Sequence, residues 1–238
     1  MLLEEDAAQA ARADGRTGFQ AGALSLTQQA YQALEELIVT LQLAPGEVLS
    51  EGSLTRMLDI GRTPVREALQ RLALEGLVVI LPRRGILVSE INVSSQLELL
   101  RLRREVERLM CRLAAERATR EQRASFKDIA AAMDQSAEAN NDVAFMRCDR
   151  QYNLLLAHSC GNLYARKTMR LMQGLSRRFW YQHYKEALDL PHCARLHADC
   201  ARAIGAGDAE AAAGASDALL NYIEAFTRAT LEANSGRL

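Results

Sequence analysis

Apolar positions divide the chain into two stretches of different rhythm. Between Ala30 and Leu43, Leu34, Leu37, Ile38 and Leu41 recur three and four apart, which predicts a helix stopped at Pro45-Gly46. A second short helix is expected over Ser50 to Leu58, with Ser50 and Ser53 as candidate caps and Leu54, Met57 and Leu58 turned inward. After the glycine-bearing break Asp59-Ile60-Gly61 comes a third, with Thr63 as N-cap, Pro64 in its first turn and Gly76 at its end. Val65, Ala68, Leu69 and Leu72 share one face of this helix; Arg62, Arg66 and Gln70 line another. The β-rich runs 77–81 and 85–89 flank Pro82-Arg83-Arg84-Gly85 and predict a hairpin with two arginines at its tip. Three helices followed by a basic hairpin make a winged helix-turn-helix.

Past Asn92 the rhythm changes. Alanine and leucine dominate, proline occurs only at Pro191, and no strand pattern appears. Six helices are expected, at about 94–118, 121–138, 141–159, 162–187, 191–205 and 208–234, with Asp208 as N-cap of the last. The fold class is therefore mainly α. A winged helix-turn-helix over 25–92 is followed by an all-α, roughly antiparallel six-helix bundle over 93–238, large enough for its own core. Residues 1–24 are rich in Ala, Gly, Arg and Asp without durable periodicity and read as a mobile tail.

Composition narrows the function classes. The 238 residues are 49% hydrophobic and 25% charged, ordinary for a soluble globular protein. No apolar run approaches the ~18 residues of a membrane span. Glu4, Glu5 and Asp6 interrupt any signal-peptide pattern. The five cysteines are odd in number and include no Cys-x-x-Cys pair, as expected of small packed or surface residues in a reducing cytoplasm. Charge gives no general footprint for nucleic acid: from Ser25 to Asn92 there are six arginines, no lysine and eight acidic residues. A DNA-binding reading thus rests on where the arginines sit, with Glu35, Glu36 and Glu75 facing away.

That placement suits a duplex. Arginine bonds guanine bidentately in the major groove, and Thr, Gln and a helix N-terminus hold phosphates or bases. The plainer alternative for residues 61–77 is an amphipathic surface helix with solvated arginines. The flanking helices and hairpin favour the first. The hairpin would set Arg83 and Arg84 beside a narrow minor groove. Few phosphate contacts per domain imply a homodimer spanning two half-sites roughly 34 Å apart.

The segment Tyr31 to Val88 resembles the N-terminal domain of the GntR family of bacterial transcription regulators. The resemblance lies in Leu43-Ala44-Pro45-Gly46-Glu47-Val48-Leu49-Ser50-Glu51, Arg62-Thr63-Pro64-Val65-Arg66-Glu67-Ala68-Leu69, Leu74-Glu75-Gly76-Leu77 and Pro82-Arg83-Arg84-Gly85. It implies that Arg62 and Arg66 read bases, Thr63 contacts phosphate and the Arg84-Gly85 tip enters the minor groove. Gly61 departs from the Ser or Thr common at its position.

The second half resembles the FCD domain, the helical effector-binding and dimerisation domain of FadR-type members. It does so through Leu102-Arg103-Arg104-Glu105-Val106-Glu107, Asp149-Arg150-Gln151-Tyr152-Asn153, Ser159-Cys160-Gly161-Asn162, Leu196-His197 and Ala203-Ile204-Gly205-Ala206-Gly207-Asp208. Many such domains hold a divalent metal, zinc or similar, on one aspartate and three histidines. Here Asp149 and His197 match, but Asn153 replaces one histidine and Leu219-Leu220 stand where the last is expected. Losing two imidazoles removes most of the affinity for such an ion. Asn221 is the nearest polar residue to the last position. Asp149, Asn153, His197 and Asn221 are thus expected to converge in an apolar bundle. Arg103 is expected either to face that pocket or to pair with Glu107 on the helix surface. Arginine favours a carboxylate ligand, so the resemblance implies a small organic acid as effector, or less favourably an acyl thioester with Trp180, Tyr181 and Tyr184 along its cavity. The repeated arginines on the fourth and seventh helices read as solvated faces. A helical metalloenzyme is the competing class. It needs a complete metal shell and a general base, and the eroded ligand set offers neither.

Overall fold

The computed structural model describes residues 24–187 and 190–235; the tail expected over 1–24 lies outside them, apart from Leu24. The first helix, α1, runs Leu26–Val39, earlier at both ends than the apolar spacing suggested. The Ser25 side chain accepts from the Gln28 N–H and starts it; at Leu41 the backbone has already turned to φ 58°. Next, β1 (Val48–Leu49) leads into α2 (Glu51–Leu58), where Ser50 and Ser53 cap one another's backbone reciprocally. Leu54 is buried there, but Met57 is exposed, because the eight-residue helix turns only one narrow stripe inward.

Helix α3 spans Arg62–Leu74 and packs Val65, Ala68, Leu69 and Leu72 against Leu34 and Ile38 of α1. Its N-cap is Gly61, not Thr63, and no side chain caps it. The N-cap lies two residues earlier than expected, and Pro64, third in the helix, has no N–H for a cap to satisfy. The hairpin strands β2 (Val78–Leu81) and β3 (Gly85–Val88) pair antiparallel, Val78 opposite Val88. Sequence spacing missed the third strand: β1 pairs with the other edge of β3, giving the order β1-β3-β2. At Gly85, φ is 110° and a Cβ would run into the Leu49 carbonyl, so only glycine lets β3 pass β1 this closely.

The bundle comprises α4 (Val93–Arg117), α5 (Arg120–Glu138), α6 (Asp142–Ser159), α7 (Leu163–Ala187), α8 (Leu190–Ala206) and α9 (Ala209–Ser235). Asn92, Thr119, Asn141, Asn162 and Asp208 each accept backbone N–H groups at the helix starts, so the breaks are written locally. Alanines at 130, 194, 198 and 201 bring α5 and α8 close, and Phe126, Phe145, Tyr152 and Phe179 fill the centre. Four of the five cysteines are buried here as free thiols, and burial pushes Cys111 up to about 12, so it is unreactive.

The two domains meet along α7. Leu77 of the winged domain nests against Gly174, where a Cβ would lie 2.7 Å from its Cδ1, and Leu175 joins the winged domain's core.

Candidate functional site

The outer face of α3 carries the expected cationic set. Arg62, Thr63, Arg66 and Gln70 are all exposed, and α1 and α2 leave that face uncovered. With glycine at the N-cap, the Arg62 and Thr63 N–H groups have no side chain over them, a geometry suited to an anionic oxygen. Arg66 is not idle: Nε and a terminal nitrogen meet the two Glu51 oxygens at 3.0 and 2.8 Å. This bidentate bond holds the Glu51 carboxyl below its ordinary range and the guanidinium above its own. Arg66 remains 60% exposed, so the pair is one that water and phosphate can exchange. At the wing tip, Arg83 (φ 63°) and Arg84 are exposed on the turn closed by the Arg84 N–H to Leu81 carbonyl bond, 3.0 Å.

The three acidic residues expected to face away do so by joining other elements. Glu75 accepts from the Tyr31 hydroxyl at 2.7 Å and pairs with Arg71, whose guanidinium lies 3.7 Å over the Tyr31 ring. Burial pushes the Glu75 carboxyl and the Tyr31 hydroxyl up. Glu36 pairs with Arg147, and Glu35 with Arg150 and Arg177, all three arginines belonging to the bundle.

In the bundle centre Arg103, Asp149 and His197 surround a cavity of about 20 Å³, shared with Ser176, Trp180 and Cys193. That is room for about one water. Arg103 faces the cavity, bonded to Ser176 Oγ at 2.6 Å, and also pairs with Glu107 at 2.6 Å, but that pair is buried and not on the helix surface. Asp149 Oδ1 accepts from Asn153 at 2.9 Å and lies 3.4 Å from His197 Nε2, whose Nδ1 faces the Cys193 carbonyl at 2.9 Å. Asn153 touches this cluster but lines a neighbouring cleft. Asn221 departs from expectation. It is exposed, one residue off the inward stripe of α9, and Ile223 reaches the cavity instead. Trp180 stacks on Tyr184 at 4.6 Å beside the cavity, and the Tyr184 hydroxyl bonds Asp142.

A divalent ion does not fit these residues. The Arg177 guanidinium stands 2.6 Å from Asp149 Oδ2 and already supplies the positive charge a metal would bring. Among the described residues no three His, Cys, Asp or Glu side chains gather to hold one. Arg177 is also the functional residue that the sequence concealed. It and Arg178 are buried, not solvated: Arg177 spans from Asp149 to Glu35 Oε1 (2.8 Å) and the Met146 carbonyl (2.7 Å). Arg178 donates to the Ser89 and Glu90 carbonyls of the linker at 2.8 and 3.2 Å, and burial pushes it down to about 10. The available signal was their position directly before Phe179 and Trp180 in the sequence.

Comparison with known proteins agrees with this arrangement. Residues 26–88 match the bacterial regulatory proteins of the gntR family and residues 98–222 match the FCD domain. Over 77 residues the chain is 43% identical to an uncharacterized HTH-type transcriptional regulator in an unstable DNA locus of Streptomyces ambofaciens, covering 32% of this chain and 33% of that protein. It is 27% identical over 210 residues to the HTH-type transcriptional repressor RspR of Escherichia coli, covering 88% of this chain and 92% of that one. The solved structure of E. coli McbR/YncC superposes with a TM-score of 0.72 at 22% identity, covering 87% of this chain and 99% of the other, a likeness of fold. No helix among the described residues is long and apolar enough to cross a membrane. The relatives are transcription regulators, which removes the metalloenzyme alternative. A winged helix with an exposed arginine face, joined to an FCD bundle, identifies the chain as a transcription regulator of the GntR family.

Proposed function

We propose that two copies of this chain bind an operator in double-stranded DNA, and that a small organic acid in the bundle cavity sets their affinity for it. Arg62 and Arg66 read bases, Thr63 and Gln70 assist at the groove, and Arg83, Arg84 and Gly85 form the wing in the minor groove. Arg103, Asp149, Asn153 and His197 bind the effector. The protein acts in the cytoplasm as a repressor released by its ligand. The observation that carries the effector reading is the Arg177 bridge, which ties the cavity's Asp149 to Glu35 of α1. A carboxylate entering beside Arg103 competes with Asp149 for guanidinium groups, and the change reaches the winged domain through one side chain. A cavity of about 20 Å³ must open for any ligand, and a small acid demands less opening than an acyl thioester. The ligand acts only through a difference in affinity for the two domain arrangements.

The test measures anisotropy of labelled DNA from upstream of the coding region against a set of mono- and dicarboxylates. One acid should shift operator affinity about tenfold, a coupling of ~1.4 kcal/mol, and His197→Ala should abolish that shift with unliganded affinity kept. Arg66→Ala should cut discrimination between operator and random duplex by about ten- to a hundredfold. Failure of every carboxylate defeats the effector reading; unchanged discrimination defeats the base-reading one.

A further inference from the structure

A second opening is far larger than the effector cavity. A cleft of about 510 Å³ lies between the domains, walled by α1 and α3 on one side and α6 and α7 on the other. Six cationic side chains line it: Arg71, Arg150, Arg166, Lys167, Arg170 and Arg177. Glu35 is the one lining carboxylate, and Glu75 reaches Arg71 and Arg170 from behind. Asp149 takes Arg177 as well, so three positive charges stand uncompensated around one concavity.

Their placement sharpens the imbalance. Arg166 and Lys167 sit at the start of α7, where the helix N-terminus already favours negative charge. Neither side chain has a hydrogen bond or ion pair among the described residues, while every other arginine of the cleft is bonded. Cations gathered at a helix start without partners repel one another and the helix dipole, a cost that a bound anion reverses. Leu154, Ala157 and Met169 add an apolar floor.

We infer that this cleft binds a small molecule carrying two phosphate groups or an equivalent polyphosphate. One phosphate group brings about −1.5 to −2 charges, so two cover the three unbalanced cations, whereas a monocarboxylate leaves two exposed. The volume falls within the range of small-molecule sites. A ligand here bridges the two domains and fixes their relative placement from an opening distinct from the bundle cavity. Arg177 lines both openings.

The probe is sodium tripolyphosphate, titrated calorimetrically into the full chain in metal-free buffer, with inorganic phosphate and citrate as comparisons. Saturable binding of one tripolyphosphate per chain is expected, at least about tenfold tighter than inorganic phosphate. The double variant Arg166→Gln/Lys167→Gln should weaken it about tenfold or more without lowering the melting temperature, since neither side chain has a partner to lose. His197→Ala should leave it intact, which separates this site from the effector cavity. The inference is overturned by absence of saturable binding, by equal affinity in the double variant, by several molecules bound per chain, or by loss of binding in His197→Ala. It is equally overturned if the double variant weakens binding to random duplex DNA as much as to tripolyphosphate, since the surface then belongs to the DNA footprint.

Discussion

Replacing Glu35 with glutamine strikes the joint between the two domains. Its carboxylate is buried and takes Arg177 on Oε1 and Arg150 on Oε2, each at 2.8 Å. Removing one partner of a fully buried ion pair costs about 3–5 kcal/mol, because the other charge is stranded. Here the loss is smaller. Arg177 keeps Asp149 and the Met146 carbonyl, and Arg150, 18% exposed, can turn its guanidinium toward water. We expect about 2–3 kcal/mol, or a fall in melting temperature of about 5–10 °C for a chain of this size. Urea unfolding of Glu35→Gln, Arg177→Met and the double variant forms a cycle that isolates the pair. The losses should fall short of additivity by at least 1 kcal/mol, a typical coupling for contacting charges. Losses that add within about 0.5 kcal/mol would show that the bridge does not join the domains, and the proposed route from cavity to operator would fall with it.

Two further outcomes are accessible. Gly85→Ala should destabilise the wing by about 1–3 kcal/mol, since φ is 110° and the Leu49 carbonyl blocks a Cβ; an unchanged melting temperature contradicts that geometry. Burial raises the folded-state affinity of Glu75 for a proton, so from the ordinary carboxylate pKa up to its raised value the native state holds a proton that the unfolded chain has lost. Stability from this group therefore declines as pH rises through that window. Glu75→Gln should flatten the decline in melting scans from pH 4 to 7, and parallel profiles for both proteins would dismiss the carboxyl as its source.

Much of this molecule was written locally. A helix start depends on a side chain reaching an N–H two or three residues away, so Ser50, Asn92, Thr119, Asn141 and Asp208 could mark their helices within a few residues of sequence. The arginine face of α3 was legible for the same reason: residues four apart share a side whatever the rest of the chain does. Local reasoning faltered where partners lie far apart. The two-residue β1 has no periodicity of its own and exists only because β3 offers it an edge. Asn221 was assigned by proximity in sequence to a missing histidine, yet the inward stripe of α9 runs through Leu219, Leu220 and Ile223. Arg66 and Glu51, fifteen residues apart, meet because α2 and α3 cross. The aromatic neighbours of Arg177 hinted that it turns inward but not toward what, because its partners come from α1 and α6, far earlier in the chain. Sequence alone determined the helices and the arginine face of α3, since both follow from backbone geometry within a few residues. Only the tertiary structure decided how the two domains are joined and where positive charge collects, because buried ion pairs depend on which distant helices come to share one low-dielectric space.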